Sequence, residues 1–280
     1  MERATVFDFG LNGRVYFVTG AASGIGRSVS EALIAQGARV AMADVNGEGC
    51  EAAAQAIDPS GAATLALPLD VRDLAATEEA VAAAEVRLGP IDGLVASAGI
   101  SRPSPAEAMD PALWDEVIGI NLTGSFRSAQ AVGRRMLSRG RGAIVLMGST
   151  SSLGGQPGRS HYCATKAAIH SLTKTLALEW GSRGIRVNSV APNSVNTPMV
   201  RKGVPESFLQ GVIEDRTPLG RIAESEEVAA ATLFLLSDAA SYTTGALLPV
   251  DGGLTAGFST HRQGRDLASN ALLAAGVYTG

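Results

Sequence analysis

The chain has 280 residues, enough for one or two domains and for a sizeable buried core. Hydrophobic residues make up 46% and charged residues 18%, which excludes an intrinsically disordered chain. Lys and Arg total 23 against 27 Asp and Glu, and a net charge of −4 speaks against nucleic acid as a partner.

Two cysteines cannot build a disulfide framework, so a reducing, cytoplasmic setting is expected. No run reaches the roughly 18 apolar residues of a membrane span. The opening residues Met1–Asp8 carry two acids and lack the apolar core of a signal peptide.

Short β-branched runs alternate with helix-like stretches along the chain. Val15–Val18 reads as a buried strand, followed by glycines and a helical pattern over 27–36 that Gly37 ends as a C-terminal cap. A second strand, Arg39–Ala43, runs to Asp44. Further strands are expected at 64–67, 93–96, 143–147, 185–190 and 246–250, with helices over 72–88, 111–138, 160–181 and 225–236. Continuous apolar strands, each followed by a helix, mean parallel βαβ units covered on both faces, hence an α/β fold with right-handed crossovers. The rhythm never breaks across 1–280, which favours a single domain. Residues 193–224 mix Pro, Gly and charges and read as a lid over a site. Residues 254–280 form a polar tail with a weak helical patch near 266–275.

Thr19-Gly20-Ala21-Ala22-Ser23-Gly24-Ile25-Gly26 lies between the first strand and the first helix. Glycines there let the backbone turn sharply and let a pyrophosphate approach the helix N-terminus, where free N–H groups and the dipole attract anions. The spacing is G-x-x-x-G-x-G, not the G-x-G-x-x-G of the general dinucleotide fingerprint. Asp44 ends the second strand, where an acid accepts hydrogen bonds from both ribose hydroxyls and repels a 2′-phosphate. Neither Ser23 nor Val45-Asn46 offers a positive charge for such a phosphate. NAD is therefore expected rather than NADP.

Tyr162 and Lys166 stand four apart in a helical stretch and share one face. A free tyrosine, with a pKa near 10, is a poor base at neutral pH. An adjacent ammonium, and a nicotinamide cation, would favour the phenolate. Such a pair removes the proton of an alcohol while hydride leaves its carbon. Ser149, at the end of the strand over 143–147, offers a hydroxyl to hold the substrate oxygen against the tyrosine.

Thr19–Gly26, Asp70, Ser97-Ala98-Gly99, Asn121, Ser149, Tyr162-x-x-x-Lys166, Pro192 with Thr197, and Asp251-Gly252-Gly253 together resemble the short-chain dehydrogenase/reductase family in its shorter, single-domain subfamily. The resemblance spans about residues 10–253. It implies a Rossmann-type doubly wound parallel sheet of about seven strands. It also implies roles: Tyr162 as general acid/base, Ser149 orienting the substrate oxygen, and Lys166 on the nicotinamide ribose and lowering the Tyr162 pKa. Asn121 would anchor a water of a proton relay. For the cofactor it implies Gly20, Ser23, Gly24, Ile25 and Gly26 at the phosphates and Asp44 at the adenosine ribose. Asp70 and Val71 would lie at the adenine, Gly99 near a ribose, and Val195 and Thr197 at the carboxamide. A homotetramer built through the helices at 111–138 and 160–181 and the last strand is implied as well.

Two positions depart from the family pattern. Ala96-Ser97-Ala98-Gly99 replaces Asn-Asn-Ala-Gly, an expected loosening of hydrogen bonds to the neighbouring strand. Asn193 replaces the glycine after Pro192, where asparagine tolerates a left-handed backbone. His161 and His170 read as surface residues, with His161 facing a substrate as the alternative, and Cys163 reads as a small packing residue. No cluster has metal-ligand spacing. Arg134, Arg135, Arg139 and Arg141 read as a solvated face, whereas Arg201-Lys202 could meet an anionic substrate group.

The expectation is an NAD-dependent oxidoreductase acting on a secondary alcohol or its ketone as small-molecule substrate. Polar Ser149–Ser152, Arg102, Gln156 and Arg159, with few aromatics, favour a polyol, sugar or hydroxy acid. A 3-oxoacyl thioester reductase is the rival enzyme, and a non-catalytic NAD-binding sensor the rival of another class. The tail over 254–280 is expected to pack on a neighbouring subunit.

Overall fold

The computed structural model describes residues 9–257 and position 274. Most of the expected tail, with the rest of its helical patch near 266–275, lies outside the described residues.

Seven strands form the sheet: β1 (Val15–Thr19), β2 (Arg39–Asp44), β3 (Thr64–Pro68), β4 (Ile91–Ala96), β5 (Gly142–Met147), β6 (Ile185–Pro192) and β7 (Leu247–Val250). Their order is β3-β2-β1-β4-β5-β6-β7, and each neighbouring pair runs parallel. This is a Rossmann-type α/β sheet. Every strand begins and ends within two residues of its expected bounds.

Alternation along the strands feeds two cores. From β1, Val15 and Phe17 point to one face, where α3 (Leu74–Leu88), α5 (Ser125–Arg139) and α6 (Ser160–Trp180) pack. Tyr16 and Val18 point to the other, covered by α1 (Gly24–Ala35), α2 (Gly47–Ile57) and α9 (Ser225–Leu236). Helices cover both faces, so the central strands β1, β4 and β5 are buried along nearly their whole length.

The helices differ from expectation at two places. A helix, α2, bridges β2 and β3 where none is read from the sequence; Asn46 caps it by accepting from the Gly49 amide. The expected helix over 111–138 is divided into α4 (Pro111–Ile118) and α5 by a π-helical turn, Gly119–Gly124. Such turns insert a residue into the helical ladder and re-aim its side chains. Between β6 and α9, the segment over 193–224 carries α7 (Pro198–Gly203) and α8 (Glu206–Phe208), the latter prolonged by a second π-helical turn, Leu209–Glu214.

The arginines at the end of α5 are ion-paired, not merely solvated. Arg134 meets Glu78, Arg135 and Arg139 share Glu85, and Arg141 meets Asp92, stitching α5 and β5 to α3 and β4. His161 is a correction of another kind: it is fully buried in the first turn of α6, and neither ring nitrogen has a partner among the described residues. Among those residues no helix is long and apolar enough to cross a membrane.

Gly93 in β4 shows how tightly the sheet is packed beneath α9. A Cβ there would lie 2.5 Å from the buried Tyr16 ring and 3.2 Å from a Leu236 methyl. A ring wedged in a closed core cannot swing away. Gly93→Ala is therefore expected to destabilise the protein by about 1–3 kcal/mol, read as a lowered midpoint in chemical denaturation at unchanged slope.

Candidate active site

β1 and β4 are neighbours, but the chain leaves their C-terminal ends in opposite directions, so a crevice must open there. The cleft that fills it has a volume of about 480 Å³. All thirteen expected cofactor contacts line it, from Gly20, Ser23, Gly24, Ile25 and Gly26 through Asp44, Asp70, Val71 and Gly99 to Tyr162, Lys166, Val195 and Thr197. Of the expected catalytic group, Ser149, Tyr162 and Lys166 also line it, while Asn121 sits buried behind.

The glycine turn is dictated by contact. A Cβ on Gly26 would fall 2.3 Å from the Gly20 carbonyl oxygen, and one on Gly20 would fall 2.8 Å from the Ala98 amide nitrogen. Asn46, Asp73, Asp110 and Thr197 cap their helices with a side-chain acceptor, but Ser23 makes no such bond at α1 and the first turn holds no acid. The α1 N-terminus thus presents backbone donors to the cleft, a fit for a pyrophosphate. Asp44 is fixed at the edge of β2, its carboxylate accepting from the Ala22 amide at 3.0 Å and the Asn46 amide at 2.9 Å. Asp70 is engaged by Arg72, whose guanidinium holds its carboxyl below the usual range.

The departure at Ala96-Ser97 leaves the link to β1 in place. The amides of Ser97 and Ala98 both donate to the Thr19 hydroxyl, each at 3.2 Å. Asn193 donates through its side chain to the Thr217 hydroxyl at 3.0 Å, tying the end of β6 to the segment beyond α8.

Ser149 follows β5 and opens a short turn, its hydroxyl accepting from the Ser151 amide at 3.1 Å. That hydroxyl is also hydrogen-bonded to Tyr162. Burial pushes the Tyr162 phenol up from its ordinary value, opposed by the Ser149 hydrogen bond and then by the Arg159 guanidinium, which lies 5.9 Å from the ring centre. The expected lowering by Lys166 does not lead here; desolvation does. Lys166 lies on the same face of α6, its ammonium 5.5 Å from the Tyr162 ring centre and donating to the Met147 carbonyl at 2.7 Å. Burial lowers its pKa to about 8.

Asn121 falls in the π-helical turn. Its side chain accepts from the Ile100 amide at 2.8 Å and donates to the Ile100 carbonyl at 2.9 Å, clamping the loop after β4. Its carboxamide oxygen and the Lys166 ammonium both border the space a Cβ on Gly99 would take, at 3.3 and 3.9 Å. Arg102, expected in the polar pocket, is paired with Glu116, and Arg201 is held by Asn196 and Glu206.

A second cavity of about 650 Å³ shares Asn193 with the first and continues past Ser149 along Thr150 and Ser151. Its walls come from the loop over 150–157, from the helical stretch over 206–216, and from Leu254 and Thr255. Sequence reading missed this cavity. The available signal is the i, i+4, i+8 spacing of Phe208, Val212 and Arg216, which sets all three on one side. No group of three His, Cys, Asp or Glu among the described residues could hold a metal ion.

A family model described as enoyl-(acyl carrier protein) reductase matches residues 20–255. D-threitol dehydrogenase of Mycolicibacterium smegmatis is 43% identical over 257 residues, covering 91% of this chain and 97% of that one. Galactitol 2-dehydrogenase (L-tagatose-forming) of Cereibacter sphaeroides is 44% identical over 257 residues, covering 91% and 99%. The crystal structure of a gluconate 5-dehydrogenase from Burkholderia cenocepacia in complex with NADP and tartrate superposes with a TM-score of 0.85 at 36% identity, covering 90% and 98%. Together with the parallel sheet and its cleft, these likenesses place the chain: it belongs to the short-chain dehydrogenase/reductase family. These three similar proteins are named as dehydrogenases of sugar alcohols or a sugar acid.

The buried ammonium makes stability depend on pH in a defined direction. Between about 8, the folded value for Lys166, and 10.5, its ordinary value, the unfolded chain holds a proton that the folded chain has released. Stability contributed through this residue therefore rises with pH across that window. We expect the unfolding free energy of the cofactor-free protein, relative to Lys166→Met, to rise by about 2 kcal/mol from pH 8 to 10. Paired denaturation series over that range measure it; a flat difference would contradict the burial argument.

Proposed function

We propose that the chain is an NAD(H)-dependent oxidoreductase that transfers a hydride between a secondary alcohol and the nicotinamide, with Tyr162 as general acid/base. The observation that carries this reading is the meeting of Ser149, Tyr162 and Lys166 at one end of a cleft whose other end is the uncapped α1 N-terminus. A polyol, sugar or hydroxy acid is the favoured class, supported by the names of the similar proteins.

When bound, the dinucleotide supplies the hydride acceptor or donor. The chain's own residues do the rest. The Ser149 hydroxyl, fixed by the Ser151 amide, holds the substrate oxygen beside the phenol. In reduction Tyr162 gives its proton to that oxygen; its raised pKa keeps it protonated for the purpose at neutral pH. In oxidation the same oxygen atom of Tyr162 takes the alcohol proton, and the Lys166 ammonium stabilises the phenolate. Asn121 clamps the Ile100 backbone, and its role at a relay water belongs to the same proposal.

The preference for NAD rests on Asp44. Its carboxylate is pinned at the ribose end of the cleft, and the nearby Arg72 is occupied by Asp70, so among the described residues that line this end no unpaired cation faces a 2′-phosphate. The similar gluconate 5-dehydrogenase structure holds NADP, which makes the choice a matter for direct assay. Association as a homotetramer through α5 and α6 belongs to the same proposal, supported by Phe126 and Leu178 exposed on those helices. The exposed apolar Leu153, Phe208 and Val212 of the second cavity favour, as the second reading, a 3-oxoacyl thioester.

Absorbance at 340 nm discriminates, using NAD and NADP in parallel against polyols, sugars, hydroxy acids and simple secondary alcohols, and NADH with a 3-oxoacyl thioester. Turnover of a polyol, sugar or hydroxy acid with NAD is expected. With that substrate, Tyr162→Phe should lower kcat by about 10²- to 10⁴-fold while NADH affinity, read by fluorescence titration, stays within a few-fold. No turnover across the whole panel, with NADH binding intact, would instead favour a non-catalytic sensor.

A further inference from the structure

The two cavities handle charge differently. The cofactor cleft holds Arg72 and Arg102 along its walls, each paired with an acid, Asp70 and Glu116. Among the described residues the second cavity is lined by no acid, and Arg216 is its single ionisable lining side chain. Among the described residues the Arg216 side chain makes no ion pair or hydrogen bond; of the lining hydroxyls, Ser151 donates to Gln156 at 3.3 Å and Thr255 to Asp251 at 2.6 Å.

We infer that the substrate of this site carries an anionic group, a carboxylate or a phosphate, which Arg216 binds at the far end of the second cavity while the carbinol lies against Ser149 and Tyr162. A guanidinium offers paired donors that match either group. Val212 and Phe208 stand one and two turns before Arg216 on the same side, so the helical stretch presents two apolar contacts for a carbon chain and then a cation for its end. Leu153 and Leu254 line the cavity with them. The inference rests on the proposed oxidoreductase reading for which end of the substrate reacts, and it narrows the class from polyols in general to their acids or phosphate esters.

The test is binding, so that it stands apart from turnover. Protein saturated with NADH, which cannot oxidise a substrate, is titrated by calorimetry with D-glucitol, D-gluconate and D-glucitol 6-phosphate, as wild type, Arg216→Gln and Arg216→Lys. Arg216 is exposed and unbonded, so both variants should fold, with melting temperatures as a check. Wild type should bind gluconate or the phosphate ester about 10- to 100-fold more tightly than glucitol. That preference should collapse in Arg216→Gln, persist in part in Arg216→Lys and weaken with added salt. Whichever anion binds more tightly identifies the group. Equal or tighter binding of glucitol by wild type, or a preference surviving Arg216→Gln, overturns the inference. Assay of the same ligands with NAD reports on the parent reading separately: anion binding without turnover defeats the oxidoreductase proposal alone, and turnover without charge preference defeats this one alone.

Discussion

The Thr19 hydroxyl, accepting from the amides of both Ser97 and Ala98, holds together the point at which the fold divides. On one side the chain winds from β1 through α1 to β2 and β3; on the other it winds from β4 towards β7. Loops leaving β1 and β4 diverge, and without a bond across the gap the crevice floor would have no defined width. Contact between the Gly20 turn and the Ala98 backbone closes that floor so tightly that no Cβ fits. The position of the α1 N-terminus follows from this closure. So does that of Gly99, which carries the loop on to the Asn121 clamp and to Lys166. Geometry at the two ends of the cleft is therefore set by one hydroxyl and a pair of backbone surfaces.

Electrostatics at the catalytic end work against stability. A phenol is raised and an ammonium lowered, both by burial, and the two lie on one face of α6 where each would be more stable in water. The Met147 carbonyl and the Ser149 hydroxyl offset part of the penalty with one hydrogen bond each. Desolvation also drives the two proton affinities apart: the lysine falls to about 8 and the tyrosine lies above its ordinary value, which favours the neutral form of each. Neither charged form is comfortable alone, so a charge arriving on a neighbouring group shifts the pair strongly. Sites built for proton transfer carry this sort of tension.

Much of the fold was legible because its signals are local. Apolar strands such as Val15–Thr19 and Gly142–Met147 are buried on both faces and read as unbroken runs, and the glycine turn and Tyr162–Lys166 are set by spacing within one element. Features that depend on contact between distant segments were not legible. Helix α2 begins Gly-Glu-Gly and is rich in alanine, so its start looks like a turn; the Asn46 cap and the burial of Cys50, Ala53 and Ala54 against the sheet make it a helix. The π-helical turn at Gly119–Gly124 carries no pattern of its own and is stabilised by the Asn121 clamp and the Ser125 hydroxyl on the Asn121 carbonyl. His161 looked like a surface residue because nothing in its neighbours reveals that α6 turns its first residues inward.

The same division explains why the arginines were misjudged. From sequence, Arg102 and Arg201-Lys202 look available because cations in loops usually are. In the folded chain Arg102 meets Glu116 fourteen residues away, and Arg201 meets Asn196 and Glu206. Pairing of this kind costs little at the surface and is easily satisfied wherever an acid is near. A cation left unpaired is the more informative case, and it cannot be recognised until every neighbour has been placed. The lining of the second cavity comes from separate stretches of chain, and only their assembly shows that, among the described residues, no acid lines it beside Arg216. Chemistry common to the family sits in short motifs that sequence displays. What distinguishes one substrate from another is written in which charges the fold leaves uncompensated.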